Sequence, residues 1–257
     1  MCPLRVSPTL ALDGYCVLPH FLDPERVEQL IAEVERLYAA EGDRAGSEFR
    51  QEPNCRRLAN LVDKGPLFRQ LIAEPAVLDL VAKVLGPHFK LSSLNARSAD
   101  PHSDSAQPLH ADMGAIPDDA GFWVCNTVWM LDDFTETNGA LRVVPGTHRA
   151  GKLPVSDKGS HPEDVLVTGK AGSVVVMNAH LWHGGSANRT SSPRRAIHGF
   201  YCRANKPQRQ YQKGLLGPET LASLSPEERI ILAIDDPAND RMSSDPNITK
   251  SGFLPAR

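Results

Sequence analysis

The chain reads as a mainly β protein with a helical cover, an antiparallel core flanked by α-helices. Three observations predict this. From Phe89 onward, short runs rich in β-branched and aromatic residues alternate with turn formers. Before that point apolar residues recur at helical spacing, and a helical signature returns near the C-terminal end. At 257 residues the chain is long enough to bury a substantial interior as one elaborated domain. The expected layout is a single domain: residues 1–88 a mainly helical cover, 89–205 the β core, and 206–257 a C-terminal helix and tail.

Asp23-Pro24-Glu25 supplies a capping residue, a proline at the first helical position and an acidic first turn. Val27, Leu30, Ile31, Val34 and Leu37 follow at helical spacing and predict an amphipathic helix of about four turns. Residues 66–86 predict two shorter helices divided at Glu74-Pro75, because proline disfavours helical geometry in the residue before it, with Gly86 as terminator. Strands are expected over 89–99, 121–131, 140–144, 165–168, 173–177 and 195–203. Ser225-Pro226-Glu227-Glu228 is a capping box ahead of Ile230, Ile231, Leu232 and Ile234. The Pro-, Asp- and Ser-rich end, 235–257, reads as irregular.

Composition narrows the function. Net charge is -3, the sequence pI is near 6.3, and no basic run is interleaved with aromatics, which argues against nucleic acid and anionic membrane as partners. The longest apolar runs, such as Val174-Val175-Val176-Met177, are strand-sized and far below the roughly 20 residues of a membrane span. Met1-Cys2-Pro3-Leu4-Arg5 lacks the order of a secretory signal. Cys2, Cys16, Cys55, Cys125 and Cys202 are odd in number and form no C-x-x-C pair, so reduced thiols and a cytoplasmic setting are expected, without cysteine-bound zinc. The expected state is a monomer or homodimer.

The chemistry centres on His110-Ala111-Asp112 and the distant His183 and Arg194. Two neutral imidazoles and one carboxylate are the facial set that holds a non-haem Fe(II) and leaves positions open for an oxidant and a cosubstrate. His110 and Asp112 are two apart, so on an extended strand both point to one face with Cα atoms roughly 6–7 Å apart, a span one ion can bridge. His183 closes the set from a second strand, and a hairpin through residues 184–193 would bring Arg194 back beside it. A guanidinium forks two hydrogen bonds onto a carboxylate, which suits the distal end of a 2-oxo diacid. Gln107 is a candidate second donor to that cosubstrate.

Three stretches place these residues in a family context: Gln107-Pro108-Leu109-His110-Ala111-Asp112, then Asn138-Gly139-Ala140-Leu141-Arg142-Val143-Val144-Pro145-Gly146-Thr147-His148, then His183-Gly184-Gly185-Ser186-Ala187-Asn188 running to Pro193-Arg194. In order and spacing they resemble the phytanoyl-CoA dioxygenase family of Fe(II)/2-oxoglutarate oxygenases. The resemblance implies a double-stranded β-helix, or jelly roll, with His110, Asp112 and His183 as iron ligands and Arg194, eleven positions after His183, on 2-oxoglutarate. It also implies use of O2 and C–H oxidation of a small molecule, hydroxylation by default, with 2-oxoglutarate converted to succinate and CO2. Halogenation is disfavoured, since Asp112 fills the position that chloride would need.

Other assignments compete for the same residues. His102-Ser103-Asp104 is a second H-x-D, but among Asp100, Pro101 and Ser105 it reads as loop. His180 lies three before His183 and on a strand would face away, and His148 closes a P-G-T-H turn. His198 shares the strand parity of Arg194, while Arg189 falls in the loop and Arg195 has the opposite parity. A cupin-like metal isomerase or lyase would make Arg194 dispensable, and a catalytically silent binding module would tolerate loss of a ligand. Specificity is expected from four segments at the pocket mouth, 47–57, 101–105, 113–119 and 208–216, with a modest-sized natural product or metabolic intermediate as substrate.

Overall fold

The computed structural model describes residues 8–155 and 161–245. In chain order the elements are α1 (Pro8–Leu12), β1 (Tyr15–Leu18), α2 (Pro24–Glu41), β2 (Cys55–Leu58), α3 (Pro66–Ile72), α4 (Pro75–Leu85), β3 (Phe89–Ala99), β4 (Val124–Met130) and β5 (Leu141–Val144). They continue with β6 (Val165–Val167), β7 (Val174–Asn178), β8 (Trp182–Gly185), β9 (Arg194–Arg203), α5 (Gln212–Leu215), α6 (Pro218–Ser223), α7 (Pro226–Ile231) and α8 (Pro237–Ser243). A larger sheet runs β1-β7-β4-β9-β3-β2 and a smaller one β6-β5-β8, antiparallel throughout. This is the helix-covered jelly roll expected of the sequence.

Period-two alternation sorts the larger sheet into two faces. Cys125 and Trp129 of β4, Val174 and Val176 of β7, and Ile197 and Tyr201 of β9 pack with Leu30, Val34, Phe68, Ile72 and Val81 of the helices. Val128 and Met130 of β4, Val175 and Met177 of β7, and Ala196 of β9 face the smaller sheet, where they meet Leu141, Val143 and Val167. The second face is the one that carries the chemistry. Asn126, Arg194 and His198 share its parity, so the strands that build the core also aim polar groups into the sandwich.

The helical signals behave as their residues require. The Asp23 side chain accepts from the Arg26 N–H at 2.8 Å and starts α2, Pro75 opens α4, and the Gly86 N–H closes it on the Ala82 carbonyl at 2.8 Å. Ser225 and Glu228 form the reciprocal box at the head of α7. The sequence reading misses two strands and gives no bounds for a third, the one expected to carry His183. β1 and β2 are four-residue edge strands inside the segment taken as helical cover, and β8 is the glycine-rich Trp182-His183-Gly184-Gly185. The C-terminal segment is not irregular throughout: Asp236 accepts from the Ala238 N–H at 2.9 Å and caps α8, while residues 246–257 lie outside the described part. Cys16, Cys55, Cys125 and Cys202 are buried free thiols, and Cys2 is outside the described residues. Among the described residues no helix is long and apolar enough to cross a membrane.

Candidate metal and cosubstrate site

His110, Asp112 and His183 converge at the mouth of the smaller sheet, their ligand atoms all within 4.8 Å of one another. The convergence is a backbone matter first. His110 and His183 exchange both backbone hydrogen bonds at 2.9 Å, an isolated antiparallel bridge that extends the sheet past β8 by one residue. Gly184 permits this close approach, because a Cβ there would meet the Gln107 and Pro108 carbonyl oxygens at 2.9 and 3.1 Å. The dyad does not lie on a regular strand as expected. Ala111 alone is extended (φ -97°, ψ 138°), and Asp112 opens a 3-10 turn that Met113 continues at φ 58°. One extended residue suffices to put His110 and Asp112 on the same side.

Each imidazole is locked in one tautomer. His110 Nδ1 lies 2.8 Å from the Pro108 carbonyl and His183 Nδ1 lies 2.7 Å from the Leu181 carbonyl. A carbonyl only accepts, so both Nδ1 atoms carry the proton and both Nε2 lone pairs face Asp112, at 3.7 Å from Oδ1 and 3.5 Å from Oδ2. Burial and the neighbouring His183 push His110 down to about 4, which keeps it neutral. Burial alone would raise Asp112, but His183 and His110 hold it well below the ordinary carboxylate range. The Asn126 amide, from β4, donates to Asp112 Oδ2 and fixes its orientation. Burial lowers the pKa of His183 but Asp112 outweighs it and raises it, so its Nε2 becomes a ligand on giving up a proton. Two imidazole nitrogens and one ionised carboxylate, each held by a second partner, then fit a divalent non-haem iron.

The competing histidines resolve. His102 is exposed at φ 47° in its loop, away from the convergent group. His180 bonds Asn178 Oδ1 at 2.9 Å and packs on Phe122 and Trp123, and His148 also packs on Phe122. His198 lines the cavity with its Nε2 buried and without a partner. Burial and the nearby Arg97 and Arg194 push it down to about 3.

Arg194 does not return by a hairpin. The chain crosses from β8 in the smaller sheet to β9 in the larger one, so Arg194 reaches the interior from the opposite wall. It is 3% exposed, stacks its guanidinium 4.4 Å over Phe134, and donates from Nη2 to the Gly139 carbonyl at 2.6 Å, while its Nε is buried without a partner. Arg195 points outward to Asp132 at 3.0 Å, and Arg189 is exposed in the loop. Gln107 lines the cavity, its Oε1 accepting from the Gly185 N–H at 3.2 Å and its carbonyl from Arg142 at 3.0 Å.

The cavity over the triad has a volume of about 960 Å³. Three of the four expected mouth segments line it, through Phe49 and Arg50, Met113 and Gly114, and Arg209 to Tyr211; the 101–105 segment does not. Arg97 and Asn126 are wall residues that sequence reasoning passed over, and their only signal was a polar side chain at an inward position of an otherwise buried strand.

A jelly roll that holds this His-Asp-His set, with His183 buried and His110 and Asp112 open to the cavity, belongs to the class of non-haem Fe(II)/2-oxoglutarate oxygenases. The sequence model of the phytanoyl-CoA dioxygenase (PhyH) family matches residues 10–196, and the chain is a member of that family. It is 26% identical over 230 residues to the dioxygenase af480 of Aspergillus fumigatus, covering 86% of this chain and 74% of that one. It is 31% identical over 201 residues to the Fe(II)/2-oxoglutarate-dependent dioxygenase nvfF of Aspergillus novofumigatus, covering 72% of this chain and 66% of the relative. Among solved structures the fold is shared with HygX from Streptomyces hygroscopicus, crystallised with nickel and 2-oxoglutarate, at a TM-score of 0.64 and 20% identity over 77% of this chain and 86% of that one.

Proposed function

We propose that the protein oxidises a C–H bond of a small molecule, hydroxylation being the default outcome, with His110, Asp112 and His183 holding Fe(II) and Arg194 and Gln107 placing 2-oxoglutarate. The observation that carries this reading is the pair of locked tautomers, which leaves two Nε2 lone pairs and one carboxylate facing a common point. The iron, with 2-oxoglutarate and O2, supplies the oxidising power, and the cosubstrate leaves as succinate and CO2.

The chain's own residues bind, orient and shield. Asn126 keeps Asp112 turned toward the imidazoles. Gln107, held through its backbone by Arg142, presents its side chain beside Gly185 on the cavity wall. Arg194 is buried behind the residues that line the cavity, and its unpartnered Nε is a donor that a carboxylate would satisfy. Arg97 shares that end of the cavity beside Gly185. Leu109, Leu141, Val128 and Met177 supply apolar wall that excludes water from the reacting carbon. The cavity volume accommodates a modest-sized metabolite or natural-product intermediate.

The test is an anaerobic titration of the protein with Fe(II) and then 2-oxoglutarate, following the weak visible charge-transfer band of a chelated 2-oxo acid in wild type and Arg194→Ala. A band in wild type that requires far more cosubstrate in the variant supports the reading. Bound metal without a band points to a cupin-like enzyme of another class, and no metal uptake to a silent binding module.

A further inference from the structure

Four arginines line the cavity, Arg50, Arg57, Arg97 and Arg209, and three of them are accounted for. Glu52 pairs with Arg57 at 2.9 Å and Arg97 at 3.0 Å, and Arg50 closes on the same carboxylate. Arg209 has no carboxylate partner among the described residues. Its guanidinium lies near two cavity rings, 4.7 Å from the Phe49 centroid and 5.7 Å from that of Phe200, and its Nε is buried without a hydrogen bond.

This side chain is mounted rigidly. The Arg209 N–H donates to Ser92 Oγ at 2.5 Å and the Gln210 N–H to the Ser92 carbonyl at 3.0 Å, which ties the segment to β3. Gln208, fully buried, clamps it further by donating to the Leu91 and Leu232 carbonyls, both at 2.8 Å. Gln210 lines the same cavity at 3% exposure, with both amide atoms buried and unpartnered. Buried polar groups are almost always satisfied, so two adjacent unsatisfied residues on one cavity wall mark the place of a ligand. Both rings lie against the guanidinium, and the fork of a guanidinium recognises an oxyanion. Arg209 lines the same cavity as His110, Asp112 and His183, which places it in the metal's own chamber.

We infer that the substrate carries an oxyanion, a carboxylate or its sulfate or phosphate equivalent, and that Arg209 binds it beside Phe49 and Phe200. The inference rests on the reading of this chamber as the substrate site of an iron oxygenase. It makes Arg209 a specificity residue distinct from Arg194, which serves the cosubstrate.

The experiment uses the full chain loaded with Mn(II) and saturated with 2-oxoglutarate, and measures paramagnetic relaxation of two probes, p-toluenesulfonate and p-toluenesulfonamide. They share size and ring and differ in charge, and a sulfonate is a poor metal ligand. The sulfonate is expected to bind at least about tenfold more tightly than the sulfonamide, as a charged hydrogen bond implies. Arg209→Met removes that preference while leaving sulfonamide relaxation and 2-oxoglutarate affinity as in wild type; Arg209→Lys keeps part of it. Equal relaxation by both probes in wild type, or a preference that survives Arg209→Met, overturns the inference. So does a loss of 2-oxoglutarate affinity in Arg209→Met, which would assign the residue to the cosubstrate. A chain that takes up no Mn(II) instead overturns the oxygenase reading itself.

Discussion

Arg194 donates to the Gly139 carbonyl at 2.6 Å, which ties the arginine proposed to bind 2-oxoglutarate to the N-G element of the sequence. Asn138 shapes that turn, its side chain accepting from the Thr135 N–H at 2.8 Å and donating to the Asp133 carbonyl at 2.6 Å. Gly139 sits at φ 86°, and a Cβ there would press on Ala99 and the Ser186 carbonyl, both at 3.3 Å. The motif is therefore a support for Arg194, not a contact with the reaction. Arg194→Ala is expected to weaken 2-oxoglutarate binding by about 2–5 kcal/mol, the cost of losing one partner of a buried charged pair. Arg194→Lys should recover only part, since an ammonium neither forks nor stacks flat on Phe134. Cosubstrate titration by the charge-transfer band measures both, and wild-type affinity in Arg194→Ala would transfer the role to Arg97.

Asn126 donates to Asp112 from the cavity wall and holds it in place. Asn126→Ala should reduce Fe(II) affinity by about 10- to 100-fold, the usual effect of removing a partner that orients a metal ligand. The fold should survive, because the side chain projects into the cavity and leaves the β4 backbone bonds to β7 and β9 intact. Competition with a chelator of known strength measures the affinity, and thermal denaturation of the metal-free protein checks the fold. Unchanged metal affinity would mean that the two imidazoles alone orient the carboxylate.

The sequence shows which residues form the site more clearly than how the chain brings them together. Helix starts are written in local chemistry, as at Asp23-Pro24 and Ser225-Pro226, and the long core strands in β-branched runs such as Val174–Asn178. β1 and β2 are hidden because their strand character comes from partners distant in sequence: Cys55–Leu58 carries two arginines in its centre and is a strand only because β3 pairs with it. The same holds for the site. His110, Asp112 and His183 stand out by type and spacing, but Asn126, Arg97 and Arg209 acquire meaning only when sheet parity and the turn after β9 aim them at one cavity. The hairpin expected between His183 and Arg194 fails because alternation within a strand says nothing of which sheet the next strand joins.

Gly184 is the contact point between the His110 segment and β8. Gly184→Ala would bring a methyl group against two backbone oxygens, at 2.9 and 3.1 Å, and neither can rotate aside. Overpacking of this kind costs about 1–3 kcal/mol, and here the strain falls on the bridge that sets the His110 to His183 spacing. The variant should lose metal affinity out of proportion to its loss of stability. Gly185→Ala, whose Cβ would lie no closer than 3.5 Å to any neighbour, is the control and should behave near wild type in stability. Equal metal binding by both variants would show that the bridge is not what positions the ligands.

Glu52 gathers Arg50, Arg57 and Arg97 on one carboxylate, and its titration gives the protein a specific acid sensitivity. Burial pushes its pKa up, but the three guanidiniums outweigh burial and hold it well below the carboxylate range. A pKa depressed in the folded state adds stability that is fully present above the unfolded value, about 4.3 for a glutamate, and is lost as pH falls from there toward the folded value. Glu52→Gln leaves three cations facing one another, and breaking such a buried set is expected to cost about 3–5 kcal/mol at pH 7. The gap between wild type and variant should stay constant down to about pH 5 and narrow progressively below pH 4, as unfolding of wild type becomes coupled to proton uptake at Glu52. Urea denaturation across that range measures it. A gap that persists unchanged at pH 3 would mean that Glu52 contributes packing rather than charge, and that the arginines of the cavity wall are positioned by other contacts.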